Sequence, residues 1–136
     1  MPHLRISEVA ALLRVSDDTV RRWVDQGHLT ASRGPGGRLV VDGAELAAFV
    51  RSRRTGDGRE FAASSARNRL DGVVTDVRRG DLVAQVEIQA GPFRLVSLMT
   101  REAADELGLV PGSVATAVVK ATTVIVEPGA PGLPAR

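Results

Sequence analysis

The chain has 136 residues and a mass of 14.4 kDa, which allows one ordinary domain or two small ones. Apolar residues make up 43%, charged residues 25% and the formal net charge is +2, a composition typical of soluble globular proteins. Because there is no cysteine, the sequence excludes a disulfide scaffold, a cysteine-based zinc site and a thiol nucleophile. It also lacks an apolar run of transmembrane length and the apolar block of a secretory signal, so we predict a cytoplasmic protein without membrane contact.

Composition shifts along the chain predict two domains, residues 1–54 and residues 64–127. The segment 55–63 between them has two glycines and no apolar periodicity, which is typical of a linker. Residues 128–136 hold three prolines and two glycines and are predicted to form a flexible tail. Each domain is small and buries little surface alone, so we expect oligomerisation.

The first domain begins with the pattern of two short helices. Ser7 and Ser16 are candidate N-caps, and Gly27 suits the left-handed residue that ends a helix. Apolar residues recur at i, i+3 and i+4 after each cap, at Val9, Leu12 and Leu13 and again at Val20, Trp23 and Val24. Two short helices joined by a tight turn have the spacing of a helix-turn-helix motif.

The outer face of the second helix carries polar and charged residues, namely Asp18, Thr19, Arg21, Arg22 and Gln26. Two adjacent arginines suit phosphate contact or the reading of guanine in a major groove. Solvated helix faces also carry arginine, so the pair alone leaves both interpretations open.

A basic hairpin follows this helix. Thr30–Arg33 and Arg38–Val41 are predicted to pair as strands closed by a glycine-rich tip, with Arg33 and Arg38 beside the tip. Because a basic hairpin here follows a candidate recognition helix, we interpret it as a wing that touches the DNA backbone or minor groove. The tip lacks the Gly-Lys-Ser/Thr of a nucleotide-binding loop. Asp42 and Glu45 then form a predicted capping box for a third helix, whose apolar stripe is Leu46, Phe49 and Val50.

The order and spacing of SEVAALLRVSDDTVRRWVDQGHL, the hairpin and VDGAELAAFV resemble the winged-helix domain of the excisionase and MerR-like families. The resemblance covers roughly residues 4–52. It implies that the helix near Asp17–Gln26 and the wing bind DNA.

The second domain has the alternating, β-branched pattern of a small β structure. Strands are predicted over Arg69–Val77, Leu82–Ile88, Phe93–Leu98, Ser113–Lys120 and Thr123–Glu127. Thr100 is a candidate cap for a short helix over Arg101–Leu107, which Gly108 ends. Five strands with a helix between the third and fourth suggest an OB-like barrel, so the predicted fold class is α+β.

The segments SSARNRLDGVV and SLMTREAADELGLVPGSVATAVVKATTVIVE closely resemble the molbindin, or TOBE, module, and the match spans residues 64–127. The resemblance implies molybdate or tungstate as ligand, and a site that lies between subunits of a homo-oligomer. A single copy of the module suggests a dimer or a hexamer. Ala103 and Ala104 stand where some relatives carry a hydroxyl.

The residue types of this segment also suit an oxyanion on physical grounds. A tetrahedral dianion needs positive charge and many hydrogen-bond donors to offset its desolvation. Lys120, the only lysine, supplies a compact charge, and Arg67 supplies a forked one. The remaining candidate donors are the side chains of Ser65, Asn68, Thr100 and Thr122 and the backbone N–H groups near Ala66 and Ala121. Without the resemblance, the favoured explanations of Arg67, Lys120 and Thr100 are a surface arginine, a solvated strand end and a simple helix cap.

Three functional hypotheses follow. We favour a transcriptional regulator in which the barrel binds molybdate or tungstate and the winged helix binds DNA. The alternatives are an intracellular storage protein for the oxyanion and an architectural DNA-binding protein whose barrel only oligomerises. An enzyme is the least favoured class, because His3 and His28 are the only histidines and no nucleophile–base arrangement is visible.

Overall fold

The structure is a computed structural model that describes residues 2–53 and 64–129. This part of the chain divides into two compact units, residues 2–53 and residues 64–126, which we describe separately. The predicted linker 55–63 lies outside the described residues, and so does most of the predicted tail. No helix in the described ranges is long and apolar enough to cross a membrane.

The first unit consists of three helices and a three-stranded antiparallel sheet. Its elements are β1 (His3–Arg5), α1 (Ile6–Leu13), α2 (Asp17–Asp25), β2 (Ala31–Arg33), β3 (Leu39–Asp42) and α3 (Gly43–Ser52). Its core includes Val9, Val20 and Val41, which are fully buried, and Phe49, whose ring lies 5.0 Å from that of Trp23. The predicted helix-turn-helix, wing and third helix are therefore all present.

The helix ends confirm some of the predicted caps and correct others. The Ser16 Oγ accepts the Thr19 N–H at 3.1 Å, and Gly27 has a φ of +78°. The predicted cap at Ser7 is wrong, because α1 already begins at Ile6 and the Glu8 carboxylate accepts the Arg5 N–H at 2.7 Å. The apolar stripes also differ in detail, since Leu12 and Val50 of the predicted stripes are exposed.

The strand β1 was not predicted. It pairs antiparallel with β3, with Arg5 opposite Val40, and gives the sheet the order β1-β3-β2. Three residues are too few to show an alternating pattern, so only the pairing with the wing defines this strand. The pairing brings Arg5 beside the wing.

The second unit is a four-stranded antiparallel sheet of order β6-β5-β4-β7 with one short helix. Its elements are β4 (Ala66–Arg79), β5 (Val83–Ala90), β6 (Phe93–Thr100), α4 (Arg101–Glu106) and β7 (Val114–Lys120). The long strand β4 pairs with β7 through its first half and with β5 through its second half. At the change-over lies Gly72, where a Cβ would collide with the backbone oxygen of Gln89.

The predicted fold class, α+β, is confirmed, but the sheet is not a closed barrel, and the fifth strand at Thr123–Glu127 is absent. A short 3-10 turn occupies Ala121–Thr123, and the Thr123 hydroxyl donates to the Lys120 carbonyl at 2.8 Å. Ile125 and Val126 are 88% and 85% exposed. Alternating β-branched residues indicate only a local preference for extended structure, and this segment pairs with no strand among the described residues.

Candidate functional site

Two cationic residues, Arg67 and Lys120, are backbone neighbours at one end of the ladder between β4 and β7. Ala66 pairs with Lys120, whereas Asn68 pairs with Val119, so an extra residue of β4 lies opposite one step of β7. That extra residue is Arg67, which occupies a β-bulge. Bulges re-aim side chains, and here the bulge places Arg67 next to Lys120, with both residues exposed.

Hydrogen bonds fix the shape of this bulge. The Asn68 Nδ2 donates to the Val119 carbonyl at 3.0 Å and ties the bulge to β7. The Arg67 Nη1 donates to the carbonyls of Ser64 and Ala66 at 2.9 and 3.2 Å, which holds the guanidinium over the start of β4. The predicted Ala66 N–H is already taken by the Ser64 Oγ at 3.1 Å. Ser64 therefore positions the start of β4, a role that the sequence did not indicate.

The chain after Lys120 adds small donors at the same end. Ala121 and Thr122 are exposed and form the 3-10 turn that follows the lysine. The first N–H groups of a helical turn have no partner inside the turn. Ser65 is also exposed and precedes the rung at which Ala66 pairs with Lys120.

Thr100 is the one predicted oxyanion residue that belongs to another part of the sheet. It caps α4 by accepting the Ala103 N–H at 3.1 Å, which leaves its hydroxyl proton for an outside acceptor. The loop after α4 is anchored near the start of β7, because the Ser113 carbonyl accepts the Val74 N–H at 2.8 Å. Thr100 itself pairs with Val83 near the last residues of β4, whereas Lys120 pairs with Ala66, the first residue of β4.

In the first unit, a chain of hydrogen bonds positions one of the two predicted DNA-binding arginines of α2. The Arg22 Nη2 donates to the Thr19 Oγ1 at 3.2 Å, and that hydroxyl lies 2.9 Å from the Ser16 Oγ. The guanidinium is therefore held along the helix before any DNA arrives. Asp18 is exposed on the same helix, and Gln26 is exposed directly after its end.

The other predicted DNA contacts converge on a groove beside α2. Arg21 lines it together with Arg33 and Arg38 of the wing. The Arg33 Nη1 donates to the Gly37 carbonyl at 2.7 Å, so this side chain closes the tip of its own hairpin. Arg5 also lines the groove, and sequence reasoning gave no signal for it because β1 was not predicted.

A metal-cation site is not visible in residues 2–53 and 64–129. These ranges hold no group of three or more histidine, cysteine or acidic residues that could bind a metal cation.

Comparisons with known proteins agree with this division into two parts. Residues 64–126 match the TOBE domain family, and residues 4–54 match a helix-turn-helix domain family. The chain therefore belongs to the TOBE-domain family through its second unit and carries a helix-turn-helix domain in its first, as the sequence predicted.

Two relatives come from Clostridium pasteurianum. Molybdenum-pterin-binding proteins 2 and 1 are 38% and 36% identical to this chain over 63 residues, which are 46% of this chain and 93% of each relative. A solved structure of a molybdate-binding protein from Sporomusa ovata is 34% identical and covers 48% of this chain and 97% of its own, with a TM-score of 0.47.

Proposed function

We propose that the second unit binds molybdate or tungstate. The main observation in support of this function is the bulge that places Arg67 beside Lys120. A doubly charged tetrahedral anion loses strong hydration on binding, and two adjacent cations offset that cost. The lysine acts as a compact point charge, while the guanidinium offers a fork of donors. Two relatives with at least 36% identity are named as molybdenum-pterin-binding proteins, which supports this ligand.

We further propose that the site is completed by a second copy of the chain. Ser65, Arg67, Asn68, Lys120, Ala121 and Thr122 share one end of the β4–β7 ladder, where β4 begins, and Thr100 pairs with Val83 near the other end of β4. In a homo-oligomer, Thr100 of one subunit faces the Arg67–Lys120 end of another. The Thr100 hydroxyl and the two cations then surround the anion from opposite sides.

An exposed apolar surface supports assembly of the second unit into dimers or hexamers. One face of the sheet opens into a groove of about 480 Å³ whose lining includes the exposed side chains of Val96, Val114 and Val118. Val124, Ile125 and Val126 lie exposed beyond β7 without a strand partner among the described residues. Burial of such apolar surface between subunits favours assembly, and part of that gain offsets the translational and rotational freedom that the subunits lose.

The first unit binds DNA in this proposal, and the whole chain acts as an oxyanion-responsive transcriptional regulator. Its helix-turn-helix places Arg22 on the exposed side of α2, and its wing adds Arg38. Oxyanion binding between subunits changes how paired DNA-binding units are presented. A coupling of about 1–3 kcal/mol between the two sites is enough for regulation.

A storage protein for the oxyanion is the alternative function. It is favoured by one observation, that the match covers 93% of the two clostridial relatives, which therefore contain little besides the TOBE domain. In that case the first unit serves another purpose, and DNA affinity does not respond to ligand.

Calorimetry and a DNA-binding assay test these proposals together. We expect heat on titration of the purified chain with molybdate and with tungstate, and less with sulfate. We also expect the affinity for a duplex selected from a random-sequence library to change when molybdate is added. Heat without any change in DNA affinity supports storage, and no heat with either metal oxyanion contradicts the proposed ligand.

The hydrogen-bonded Arg22 gives a prediction for DNA recognition. Thr19→Val removes the hydroxyl between Ser16 and Arg22, so we expect weaker binding to the selected duplex and little change with a random duplex. Arg22→Ala is expected to cost more, about 1–3 kcal/mol if the side chain reads a guanine. Fluorescence anisotropy with both duplexes measures the difference. Thr19→Ser keeps the hydroxyl and is expected to retain specific binding, and equal loss on both duplexes would contradict a base-reading role.

A further inference from the structure

The groove between α1, α2 and the wing collects cationic side chains from three elements. It encloses about 340 Å³, and its lining includes Arg5 and Ser7 at the start of α1, Asp17 and Arg21 on α2, and Arg33 and Arg38 on the wing. Within the described residues neither Arg21 nor Arg38 makes an ion pair. Four arginines therefore face one acidic residue in this groove.

Backbone structure explains why these side chains converge. The pairing of β1 with β3 sets Arg5 opposite Val40, only two residues from Arg38. The wing itself is a short, closed hairpin, since the Gly34 N–H donates to the Arg38 carbonyl at 2.8 Å and Arg33 bonds to the Gly37 carbonyl. Gly36 and Gly37 both have a positive φ, which permits this tight tip. Arg38 thus projects from a rigid support.

Arg5, which lines the groove, is paired with Glu8. The Arg5 Nη2 donates to the Glu8 carboxylate at 3.2 Å, and the Arg5 backbone N–H donates to the same carboxylate. Both bonds lower the pKa of the Glu8 carboxyl, and the backbone bond has the larger effect of the two. Glu8 therefore stays ionised and orients the guanidinium, while the other Arg5 nitrogens remain available as donors.

The position of the groove between the helix and the wing indicates its ligand. In winged-helix domains the recognition helix enters the major groove, and a wing reaches the backbone or the minor groove. The sugar–phosphate backbone separates these two grooves of a duplex, so a cleft between helix and wing faces that backbone. Arginine is also suited to phosphate, because its fork matches two phosphate oxygens.

We propose that this groove binds a backbone phosphate of DNA, held by Arg21 and Arg38, with Arg5 as a third phosphate ligand and Arg33 as the positioning residue of the wing. This inference rests on the proposed DNA-binding function and adds Arg5 to its contact residues. It also gives the two arginines of α2 different roles. Arg21 faces the groove and contacts phosphate, while Arg22 is held along the helix by Thr19.

A salt-dependence measurement tests the proposal without knowledge of the operator, since phosphate contacts are independent of sequence. Binding of a random-sequence 30-base-pair DNA duplex is followed by anisotropy from about 50 to 200 mM salt for the whole chain and for Arg5→Gln, Arg38→Gln and Arg51→Gln. Each groove variant is expected to bind roughly three- to ten-fold more weakly and to lower the salt slope by about one. Arg51→Gln is the matched control, because Arg51 is an exposed arginine of α3 that does not line the groove.

The outcomes separate this inference from the function on which it rests. If the unmodified chain binds the duplex and Arg5→Gln has the same slope as Arg51→Gln, Arg5 is not a phosphate ligand and the groove proposal fails. If the unmodified chain binds no DNA even at the lowest salt, the proposed DNA-binding function itself fails. Because Arg5 precedes α1, circular dichroism of Arg5→Gln checks its fold, and Arg38→Gln on the exposed wing provides an independent test.

Discussion

Replacing Lys120 with alanine is expected to weaken molybdate binding by roughly ten- to one-hundred-fold. A hydrogen bond to a charged group contributes about 1.5–3 kcal/mol, and a dianion that has lost part of its hydration depends on such bonds. Lys120 pairs with Ala66 at the rung beside the Arg67 bulge, so its removal leaves the guanidinium as the remaining cation at this end of the ladder. Calorimetric titration with molybdate measures the loss directly.

Two further variants show whether this loss is specific. Arg94→Ala removes one positive charge from the same unit, and its exposed ion pair with Glu87 contributes little to stability, so it is expected to keep its molybdate affinity. Lys120→Arg keeps the charge, but its planar group fits a compact tetrahedral anion less well and is expected to restore only part of the affinity. Unchanged affinity in Lys120→Ala would place the site elsewhere.

Features encoded by a few neighbouring residues were predictable from the sequence. The cap at Ser16, the left-handed Gly27 and the cap at Thr100 are all found where the pattern placed them. Such signals are local, because a capping side chain reaches a backbone N–H only three residues away. The order of helices, wing and strands follows from the same short-range patterns.

Features that depend on pairing between distant residues were not predictable. The strand β1 exists only because β3 lies beside it, so Arg5 gave no signal in the sequence. The bulge at Arg67 is a matter of register between β4 and β7, which no residue type determines by itself. The missing fifth strand belongs to this class as well, because Ile125 and Val126 have the right composition for a strand but pair with no strand among the described residues.

The same limit applies to the oxyanion site. Residue types identified Arg67, Lys120 and Thr100 as candidates, but they gave no indication that Ser64 takes up the Ala66 N–H or that Asn68 braces the bulge. They also gave no indication of which residues share an end of the sheet. Because Lys120 and Thr100 lie at different ends of the sheet, variants of these two residues can test whether subunits share the oxyanion site.

Mixing two defective variants is expected to restore part of the molybdate binding. Lys120→Ala removes a cation, and Thr100→Asp keeps a side-chain oxygen that caps α4 while placing a negative charge toward the anion. If each site combines Lys120 of one subunit with Thr100 of another, a mixed dimer contains one intact site and one site with both defects. Random mixing of equal amounts of the two chains then restores about a quarter of all sites with full affinity.

Calorimetry on co-refolded chains measures this recovery, with native mass spectrometry to verify that mixed oligomers have formed. Each variant refolded alone is the control and is expected to lack the high-affinity sites. Recovery in the mixture requires that intact halves from different chains meet, because neither chain carries both. Mixed oligomers without any recovered binding would mean that Lys120 and Thr100 do not share an intersubunit site, and the proposed division of the site between the two ends of the sheet would be wrong.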